Sequence, residues 1–396
     1  MKICDIPLGF KFAGIASGIK SSGKLDLGLI FSKKPASCAG VFTQNQVVAA
    51  PVVLSRERIA CGECQAILVN SGNANACTGK QGMTVAKETT EMLARQLGIP
   101  VELVAVASTG VIGAQLPTGP FLEGIPKLSA QLDPDAAPVT AEAMMTSDGF
   151  SKLASAQVKA DGQSYSILGL AKGAGMIHPN MATMLGFVMT DAKIPADRLD
   201  RALRKAVGRS FNAITVDADT STNDTVLLLA NGASGVSIEA DTEAEEEFYC
   251  HLERVLVDLA KMIVRDGEGA TKLVEIRVTG ARDDEQAKMA ARAVATSSLV
   301  KTAFFGEDAN WGRIIAAVGY SGVQVDQEKI DINFDAVPVT LNGLGTGVEL
   351  EEKATEVLKQ GEFTVRIELH QGSGTASYYT SDLTYEYIKI NAEYRT

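Results

Sequence analysis

The stretch that most constrains this chain covers residues 172–185, where a glycine-rich turn ends on a threonine that opens an apolar segment. Gly173 and Gly175 give the backbone freedom to turn, and the dipeptide Pro179-Asn180 is typical of a tight turn. Residues 183–190 have the composition of a buried strand. As a pattern, the stretch predicts two strands that are joined by a glycine-rich loop.

The same stretch also allows a chemical role for its threonine, Thr183. A threonine hydroxyl inside a polypeptide is a weak nucleophile, but at a new N-terminus its own α-amine, with a pKa of about 7.7 to 8.0, can act as the adjacent base. Hydrolysis of the bond between Ala182 and Thr183 would supply that amine. The pattern by itself favours a structural strand–loop–strand connection over a catalytic role for Thr183. The rest of the chain is needed to decide between these two interpretations.

Two further segments are richer in small polar residues and glycine than ordinary connections are. Residues 70–79, Asn-Ser-Gly-Asn-Ala-Asn-Ala-Cys-Thr-Gly, follow an apolar run and precede a predicted helix. At such a place backbone N–H groups converge on an anion or a carbonyl oxygen, which is compatible with an ordinary capped turn. Residues 107–113, Ala-Ser-Thr-Gly-Val-Ile-Gly, likewise follow a predicted strand.

Together these segments carry a resemblance to a known family. Residues 172–185 resemble, nearly residue for residue, the processing site of the ornithine acetyltransferases of arginine biosynthesis, which cleave themselves between this alanine and this threonine. Residues 217–224, 266–272 and 306–313 also look like family segments. The resemblance implies an α chain of residues 1–182 and a β chain of residues 183–396 that begins at its nucleophile, Thr183.

The resemblance also implies the site residues. It assigns the oxyanion hole to Thr109 and Gly110, cleavage to Ala182 and Thr183, and substrate contacts to Thr146, Lys172, Thr183, Glu268, Asn391 and Thr396. A tetrahedral adduct needs donors about 2.7 to 3.1 Å from its oxyanion, which a hydroxyl and a backbone N–H can supply. A fixed ammonium can hold the α-carboxylate of an amino acid. Judged on residue type alone, Thr146, Glu268 and the two C-terminal residues would be ordinary structural or surface positions.

The implied reaction has two halves. Thr183 takes the acetyl group of N2-acetyl-L-ornithine and releases ornithine, and the acetyl-enzyme then passes the group to L-glutamate to give N-acetylglutamate. Both halves are transfers between amines, so we expect neither a cofactor nor a metal. Many members of the family also accept acetyl-CoA as a donor while others only recycle the acetyl group, and the sequence leaves both open. The family fold is a layered α/β structure with the nucleophile at the start of a central strand, and the processed chains assemble as an α2β2 heterotetramer.

The amino-acid composition limits the kinds of molecule that the protein is expected to bind. The chain has 37 basic and 48 acidic residues, a net charge of -11, and no basic cluster, so small molecules are expected as partners and nucleic acid is not. No run approaches the roughly 18 apolar residues of a membrane span, and residues 1–10 lack the apolar core of a secretory signal. We therefore expect a cytoplasmic protein without membrane contact.

Cysteine spacing raises a zinc site as an alternative. Cys61 and Cys64 are separated by two residues, with Cys38 and Cys77 on either side. A four-cysteine zinc site normally repeats the tight pair, and here the second pair is missing. We expect no metal site.

The periodicity of apolar residues predicts a mixed α/β chain. Helices are predicted at residues 83–97, after Pro195, at 248–264 and at about 284–294. Strands are predicted at residues 101–107, 164–171, 183–190, 225–230, 273–279, 332–341, 363–370 and 378–390. Because the two kinds of element alternate irregularly, layered sheets and helices are favoured over a regular doubly wound repeat.

Two other classes of function stay open on sequence grounds. An N-terminal-threonine aminopeptidase or amidase of a related fold would pass the acyl group to water instead of an amine. A non-enzymatic binding protein would keep the loops without cutting itself. Residues 343–347, Gly-Leu-Gly-Thr-Gly, resemble a dinucleotide-binding turn but lack the third glycine at the required spacing, so we expect a hairpin or turn there. No G-x-S-x-G elbow of a serine hydrolase is present.

Overall fold

The structure is a computed structural model that describes residues 5–160, 162–178 and 184–393. The described residues fall into two compact units that interleave along the chain. The first unit draws on residues 1–173, 179–212 and 220–263. The second draws on residues 174–178, 213–219 and 264–396. The predicted positions Ala182, Thr183 and Thr396 lie outside the described residues.

The strands, numbered along the chain, are β1 (Phe10–Ile15), β2 (Leu27–Phe42), β3 (Glu63–Asn73), β4 (Val104–Val111), β5 (Lys152–Ala160), β6 (Gln163–Lys172), β7 (Leu185–Thr190), β8 (Ile214–Thr215), β9 (Thr225–Ala230), β10 (Leu273–Ala281), β11 (Asp331–Phe334), β12 (Val337–Leu341), β13 (Leu344–Gly345), β14 (Glu362–Glu368) and β15 (Gly374–Ser381). The α-helices are α1 (Ala50–Arg58), α2 (Gly79–Leu97), α3 (Gly119–Ala130), α4 (Ala137–Met144), α5 (Ala196–Arg209), α6 (Glu243–Arg265), α7 (Asp284–Thr296), α8 (Ser298–Phe305), α9 (Trp311–Gly319), α10 (Val348–Leu358) and α11 (Tyr385–Ala392).

The first unit is built on one mixed sheet with the strand order β4-β3-β2-β9-β7-β6-β5, and β1 pairs with β2. The β3–β4 and β7–β9 pairs are parallel and the other pairs are antiparallel. The strand β7, which follows the expected processing site, lies in the interior of the sheet between β9 and β6. Its first residue, Leu185, is paired with Lys172, the last residue of β6. The glycine-rich stretch therefore connects two neighbouring central strands, as the pattern predicts.

Both faces of this sheet are covered, because successive side chains of a strand point to opposite faces. In β3, Ile67 and Val69 join a core with the helix α4, whereas Ala66 and Leu68 join a second core with α2 and α3. Each of these aliphatic side chains is 0% exposed. Complete burial of a side chain of this size stabilises the fold by roughly 1.5–3 kcal/mol. The layered α/β fold class predicted from the sequence is confirmed.

The second unit has its own sheet, in the order β13-β12-β11-β14-β10-β15-β8. Helix α7 packs on it through small residues at helical spacing, Ala287, Ala290, Ala291 and Val294, all 0% exposed. Small side chains let the helix backbone approach the sheet closely. The glycine-rich residues 343–347 include β13, which pairs antiparallel with β12. The prediction of a hairpin instead of a nucleotide-binding turn is confirmed.

Several element predictions agree with the structure and three do not. The strand at 225–230 is β9, and the helices at 83–97, 248–264 and 284–294 correspond to α2, α6 and α7 with extended ends. The single strand predicted at 332–341 is wrong, because it is the hairpin of β11 and β12. The backbone reverses direction between these two strands at Asp335, whose φ of 48° is in the left-handed region.

The strand predicted at 378–390 is also wrong beyond Ser381. Thr384 caps a helix there, since its side chain accepts a hydrogen bond from the Tyr387 N–H at 3.2 Å, and α11 follows. The strand predicted at 101–107 lies three to four residues further along, at β4. Parallel pairing with β3 extends it, with Ser71 opposite Thr109 and Gly72 opposite Gly110. The two expected oxyanion-hole residues are thus inside the strand and not in a loop after it.

Candidate active site

The centre of the site in the first unit is Lys172, at the end of β6. It is 8% exposed, and its Nζ donates hydrogen bonds to the hydroxyl oxygens of Thr146 at 2.9 Å and Thr109 at 3.2 Å. A buried lysine is costly unless its charge has polar partners. The structure therefore brings together three residues that the sequence resemblance selected, from three separate parts of the chain.

Asp148 holds this lysine in place. Its carboxylate lies 3.9 Å from Lys172 and 2.8 Å from the buried ammonium of Lys152, and it accepts the backbone N–H groups of Thr146 and Gly173 at 2.9 and 2.7 Å. Burial by itself would raise the pKa of Asp148, but the Lys172 and Lys152 ammonium groups and these hydrogen bonds hold it well below its usual range. Asp148 is therefore a fixed anion that links the loop after α4 to the end of β6.

The lysine contact also determines what the Thr109 hydroxyl can do. A hydroxyl has one proton to donate and two lone pairs, and a lysine ammonium can only donate. Because Lys172 donates to the Oγ1 of Thr109, the hydroxyl proton must point elsewhere. The Thr109 hydroxyl can therefore donate its proton to another acceptor.

Gly110 is the position where a glycine is indispensable. Its φ is +133°, and a Cβ there would lie 2.3 Å from the carbonyl carbon of Gly72 and 2.5 Å from the nitrogen of Asn73. Real Cβ atoms do not approach backbone this closely, so no other residue fits without moving β3. The close backbone contact fixes the direction of the peptide groups at Thr109 and Gly110.

A buried amide network lies behind this strand end. The Ser108 hydroxyl donates to Oδ1 of Asn70 at 2.6 Å. The side-chain amide of Asn223 donates to the carbonyl oxygens of Ser108 at 2.8 Å and Ala74 at 2.5 Å. All three side chains are buried. Their hydrogen bonds connect β3, β4 and the segment before β9. They also provide hydrogen-bond partners for backbone groups that the irregular end of β3 does not pair.

A second cation, which the sequence did not indicate, lies near the same cluster. The ammonium of Lys20 donates to the carbonyl oxygens of Met145 and Leu25, each at 2.7 Å. Burial lowers the pKa of Lys20, Asp26 opposes the shift, and the charge of Lys172 lowers it further. Lys172 and Lys20 are therefore two ammonium groups whose charges interact.

The second unit holds the other described residues that the resemblance selected. Glu268 is 9% exposed, its backbone N–H donates to the carbonyl of Ala174 at 2.9 Å, and its Oε2 accepts the side-chain amide of Asn391 at 3.0 Å. A Cβ on Gly175 would lie 2.5 Å from that carboxylate oxygen. Glu268 is thus a buried, positioned carboxylate, and the surface position suggested by residue type alone is wrong.

The surroundings of Glu268 in this unit are acidic. Asp217 accepts the backbone N–H groups of Met176 and Ile177 at 2.6 and 2.7 Å, and so anchors the segment just before the expected cleavage site. Burial raises the pKa of Tyr387, and the charges of Asp217, Asp219 and Glu268 raise it further. A group of carboxylates that disfavours further negative charge will favour an ammonium group.

The predicted site residues thus divide into two described groups. Thr109, Gly110, Thr146 and Lys172 meet in the first unit, and Glu268 and Asn391 meet in the second. Sequence reasoning missed Asp148, Lys20 and Asn223. The family-like motif at residues 217–224 is a signal for Asn223, although the sequence alone assigns no role to it. Asp148 could have been noticed from the polar run Thr146-Ser-Asp that precedes β5.

Within residues 5–160, 162–178 and 184–393, no group of three or more His, Cys, Asp or Glu side chains could hold a metal ion. None of the helices described there combines the length and the hydropathy that crossing a membrane requires.

The family model and the curated relatives match nearly the whole chain. The model of the ArgJ family matches residues 11–396. The arginine biosynthesis bifunctional protein ArgJ of Syntrophotalea carbinolica is 62% identical over 389 residues, which cover 98% of this chain and 99% of that protein. The protein of the same name from Geobacter sulfurreducens is 54% identical over the same shares of both chains. The crystal structure of the ArgJ protein of Bacillus halodurans matches with a TM-score of 0.52 and 47% identity, covering 53% of this chain and 99% of that one.

These similarities, together with a buried, preorganised cluster of lysine, hydroxyl and carboxylate groups, define an enzyme and not a passive binding protein. The chain belongs to the ArgJ family. The resemblance to the ornithine acetyltransferases that the sequence motifs carry is therefore confirmed, and the acetyltransferase interpretation is favoured over the aminopeptidase alternative.

Proposed function

We propose that this enzyme transfers the acetyl group of N2-acetyl-L-ornithine to L-glutamate through an acetyl ester on Thr183. The observation that carries the proposal is the cluster of Lys172, Thr109 and Thr146. The cluster lies where Lys172, the last residue of β6, pairs with Leu185, the first residue of β7. Thr183 is two residues before Leu185, the first residue of β7.

In the first half-reaction the Thr183 hydroxyl attacks the acetyl carbonyl, while its own α-amine takes the hydroxyl proton. The Thr109 hydroxyl and the Gly110 backbone N–H stabilise the oxyanion that forms. The C–N amide bond then breaks, and ornithine leaves with the proton on its α-nitrogen. The electrostatic contribution of one oxyanion donor is about 2.7–4 kcal/mol.

Recognition uses the two ends of the acetylornithine molecule. Lys172 and Thr146 hold its α-carboxylate, and Glu268, positioned by Asn391, pairs with its side-chain ammonium. Thr396 is proposed as a further contact. A carboxylate pairs with a cation and an ammonium group pairs with a carboxylate, so these assignments account for both charged ends of an ornithine derivative.

In the second half-reaction the α-amine of glutamate attacks the acetyl ester, and the Thr183 hydroxyl recovers its proton. The acyl group passes only between nitrogen and oxygen atoms, so no cofactor or metal is required by the chemistry. The word bifunctional in the relatives' names motivates a second proposed donor, acetyl-CoA, which would acetylate the same threonine.

The nucleophile requires self-cleavage between Ala182 and Thr183, which gives chains of residues 1–182 and 183–396. We further propose that two copies of each chain assemble as an α2β2 heterotetramer. We expect the enzyme to act in the cytoplasm, the compartment in which bacteria carry out amino-acid biosynthesis.

Initial-rate kinetics with acetylornithine and glutamate test the proposal. A covalent acetyl-enzyme gives parallel lines in double-reciprocal plots, as in any ping-pong reaction. Intersecting lines, with no acetylated chain detected by mass spectrometry, would rule out the covalent intermediate. Repeating the assay with acetyl-CoA in place of acetylornithine decides whether the second donor is used. Release of free acetate at the rate of ornithine release, with glutamate present, would instead indicate a hydrolase.

A further inference from the structure

The mechanism above makes no use of Asp224, a carboxyl group buried in the first unit beside β9. The residue is 1% exposed. Its Oδ2 has no hydrogen-bond partner among the described residues. A buried, unsatisfied carboxyl oxygen is costly, since desolvation without a hydrogen bond destabilises a folded protein. Such a buried carboxyl group calls for a role.

Asp224 lies next to the residue that follows the nucleophile. The Met184 backbone N–H hydrogen-bonds the Asp224 carboxyl, and the Met184 carbonyl accepts the Thr225 N–H at 3.0 Å. The Asp224 carboxyl therefore binds the peptide N–H that directly follows Thr183 in the sequence.

The protonation state of Asp224 suits proton transfer. Burial raises its pKa well above the ordinary value, and the Ser221 hydroxyl, the Met184 N–H and the positive charge of Lys172 oppose that shift without cancelling it. These are the groups that face the carboxyl among the described residues. Asp224 therefore carries a proton under conditions in which ordinary aspartates are ionised.

We propose that Asp224 is the acid–base residue of self-cleavage. The inference rests on the cleavage between Ala182 and Thr183 proposed above. As the Thr183 oxygen bonds to the carbonyl carbon of Ala182, the C–N bond to the Thr183 nitrogen breaks. Asp224 gives its proton to that departing nitrogen and takes the proton of the hydroxyl, so it ends as it began. Water then hydrolyses the ester, which frees the Ala182 carboxylate and the Thr183 hydroxyl.

Asp224→Asn tests this role with the least structural change. A protonated aspartate and an asparagine have nearly the same shape and the same charge, and the amide oxygen can still accept from Met184 and Ser221. A purely structural role would survive the substitution. Proton transfer would not, because an amide does not exchange a proton as an acid does. We expect cleavage to slow by at least ~100-fold, in the range of general acid–base effects, so that a folded single chain of 41.7 kDa accumulates.

Asp191→Asn is the matched control. Asp191 directly follows the other end of β7, is 2% exposed, and also has a pKa raised by burial. Its carboxylate accepts the backbone N–H groups of Leu8 and Ser166 at 2.7 and 2.8 Å, so all its described contacts are structural. We expect this variant to be cut at the wild-type rate even if its melting temperature falls.

The outcomes separate this inference from the proposed function. A wild-type protein that is active but uncut contradicts both. A wild type that is cut, with Asp224→Asn cut at the same rate, overturns only the role of Asp224, as does an Asp191→Asn variant that also stays uncut. If Asp224→Asn does not fold, the wild-type precursor made by cell-free synthesis decides the matter. Its cleavage should slow as pH rises through the raised pKa of Asp224, and a rate that is constant or increases with pH overturns the inference.

Discussion

The ammonium of Lys172 lies 3.2 Å from the hydroxyl oxygen of Thr109 and can only donate to it. The proton of that hydroxyl can consequently be donated to another acceptor. If Thr109 has its proposed place in the oxyanion hole, loss of the hydroxyl should affect the transition state more than substrate binding. Thr109→Val, which keeps the shape and removes the hydroxyl, should lower kcat for acetyl transfer about 10²–10³-fold with little change in KM. Thr109→Ser should stay within a few-fold of the wild type.

Steady-state assays of acetylornithine-to-glutamate transfer measure both variants. A Thr109→Val enzyme with wild-type kcat would show that the hydroxyl is not part of the oxyanion hole.

Gly110→Ala should damage both stability and transfer, because the new Cβ would collide with the backbone of Gly72. The matched control is Gly113→Ala. Gly113 also has a positive φ, +87°, but nothing lies within 4 Å of its Cβ position. The control therefore carries only the backbone strain, of order 1–3 kcal/mol. Urea unfolding and acetyl-transfer assays on both variants separate the effect of the steric collision from the effect of the backbone strain. Equal losses of stability and activity in the two variants would show that the contact with Gly72 is unimportant.

Asp148 should make the enzyme sensitive to acid. Its pKa in the folded state is below the unfolded value of about 3.9, so its contribution to stability is complete above the unfolded pKa and is lost as pH falls through the folded one. Asp148→Asn should cost about 3–5 kcal/mol at neutral pH, because it removes the buried negative charge that lies 2.8 Å from the Lys152 ammonium. The difference from the wild type should shrink towards low pH.

Unfolding free energies at a series of pH values check this. Asp197→Asn, which breaks an exposed pair with Arg201, is the control and should change stability by no more than about 1 kcal/mol. A difference between the wild type and Asp148→Asn that stays constant down to strongly acidic pH would contradict the ion-pair account.

Glu268 should matter for ornithine and much less for glutamate, since only ornithine carries a side-chain ammonium. A hydrogen bond to a charged group is worth about 1.5–3 kcal/mol. Glu268→Gln should therefore raise KM for acetylornithine at least ~10-fold, at 1.4 kcal/mol per factor of ten, and leave KM for glutamate nearly unchanged. Glu386→Gln, at an exposed pair with Lys389, is the control. Equal effects on the two substrates would remove Glu268 from ornithine recognition.

Much of the fold followed from local pattern. The strands around Leu185 and Thr225 and the helix α2 have periodicities and end signals that depend on few distant residues. The wrong predictions have two kinds of cause, which are pairing with residues distant along the chain and helix capping. Pairing with β3 draws Thr109 and Gly110 into β4, and the capping hydroxyl of Thr384 turns an alternating pattern into α11.

The site was predictable where residue type and motif coincide, as for Lys172. Asp148 and Asp224 escaped because their importance lies in burial and in partners that are distant along the chain. The buried ammonium of Lys152 and the backbone N–H of Gly173 give Asp148 its role. The unpartnered Oδ2 of Asp224 can be recognised only once its surroundings are known.

Intact-mass analysis of the purified enzyme, before and after incubation with acetylornithine in the absence of glutamate, tests whether Thr183 becomes a new N-terminus and carries the acetyl group. The account predicts two chains separated between Ala182 and Thr183, with an acetyl group appearing only on the chain of residues 183–396. Thr183→Ala should give one uncut, inactive and unacetylated chain. A fully active, uncut wild-type chain of 41.7 kDa would contradict the account.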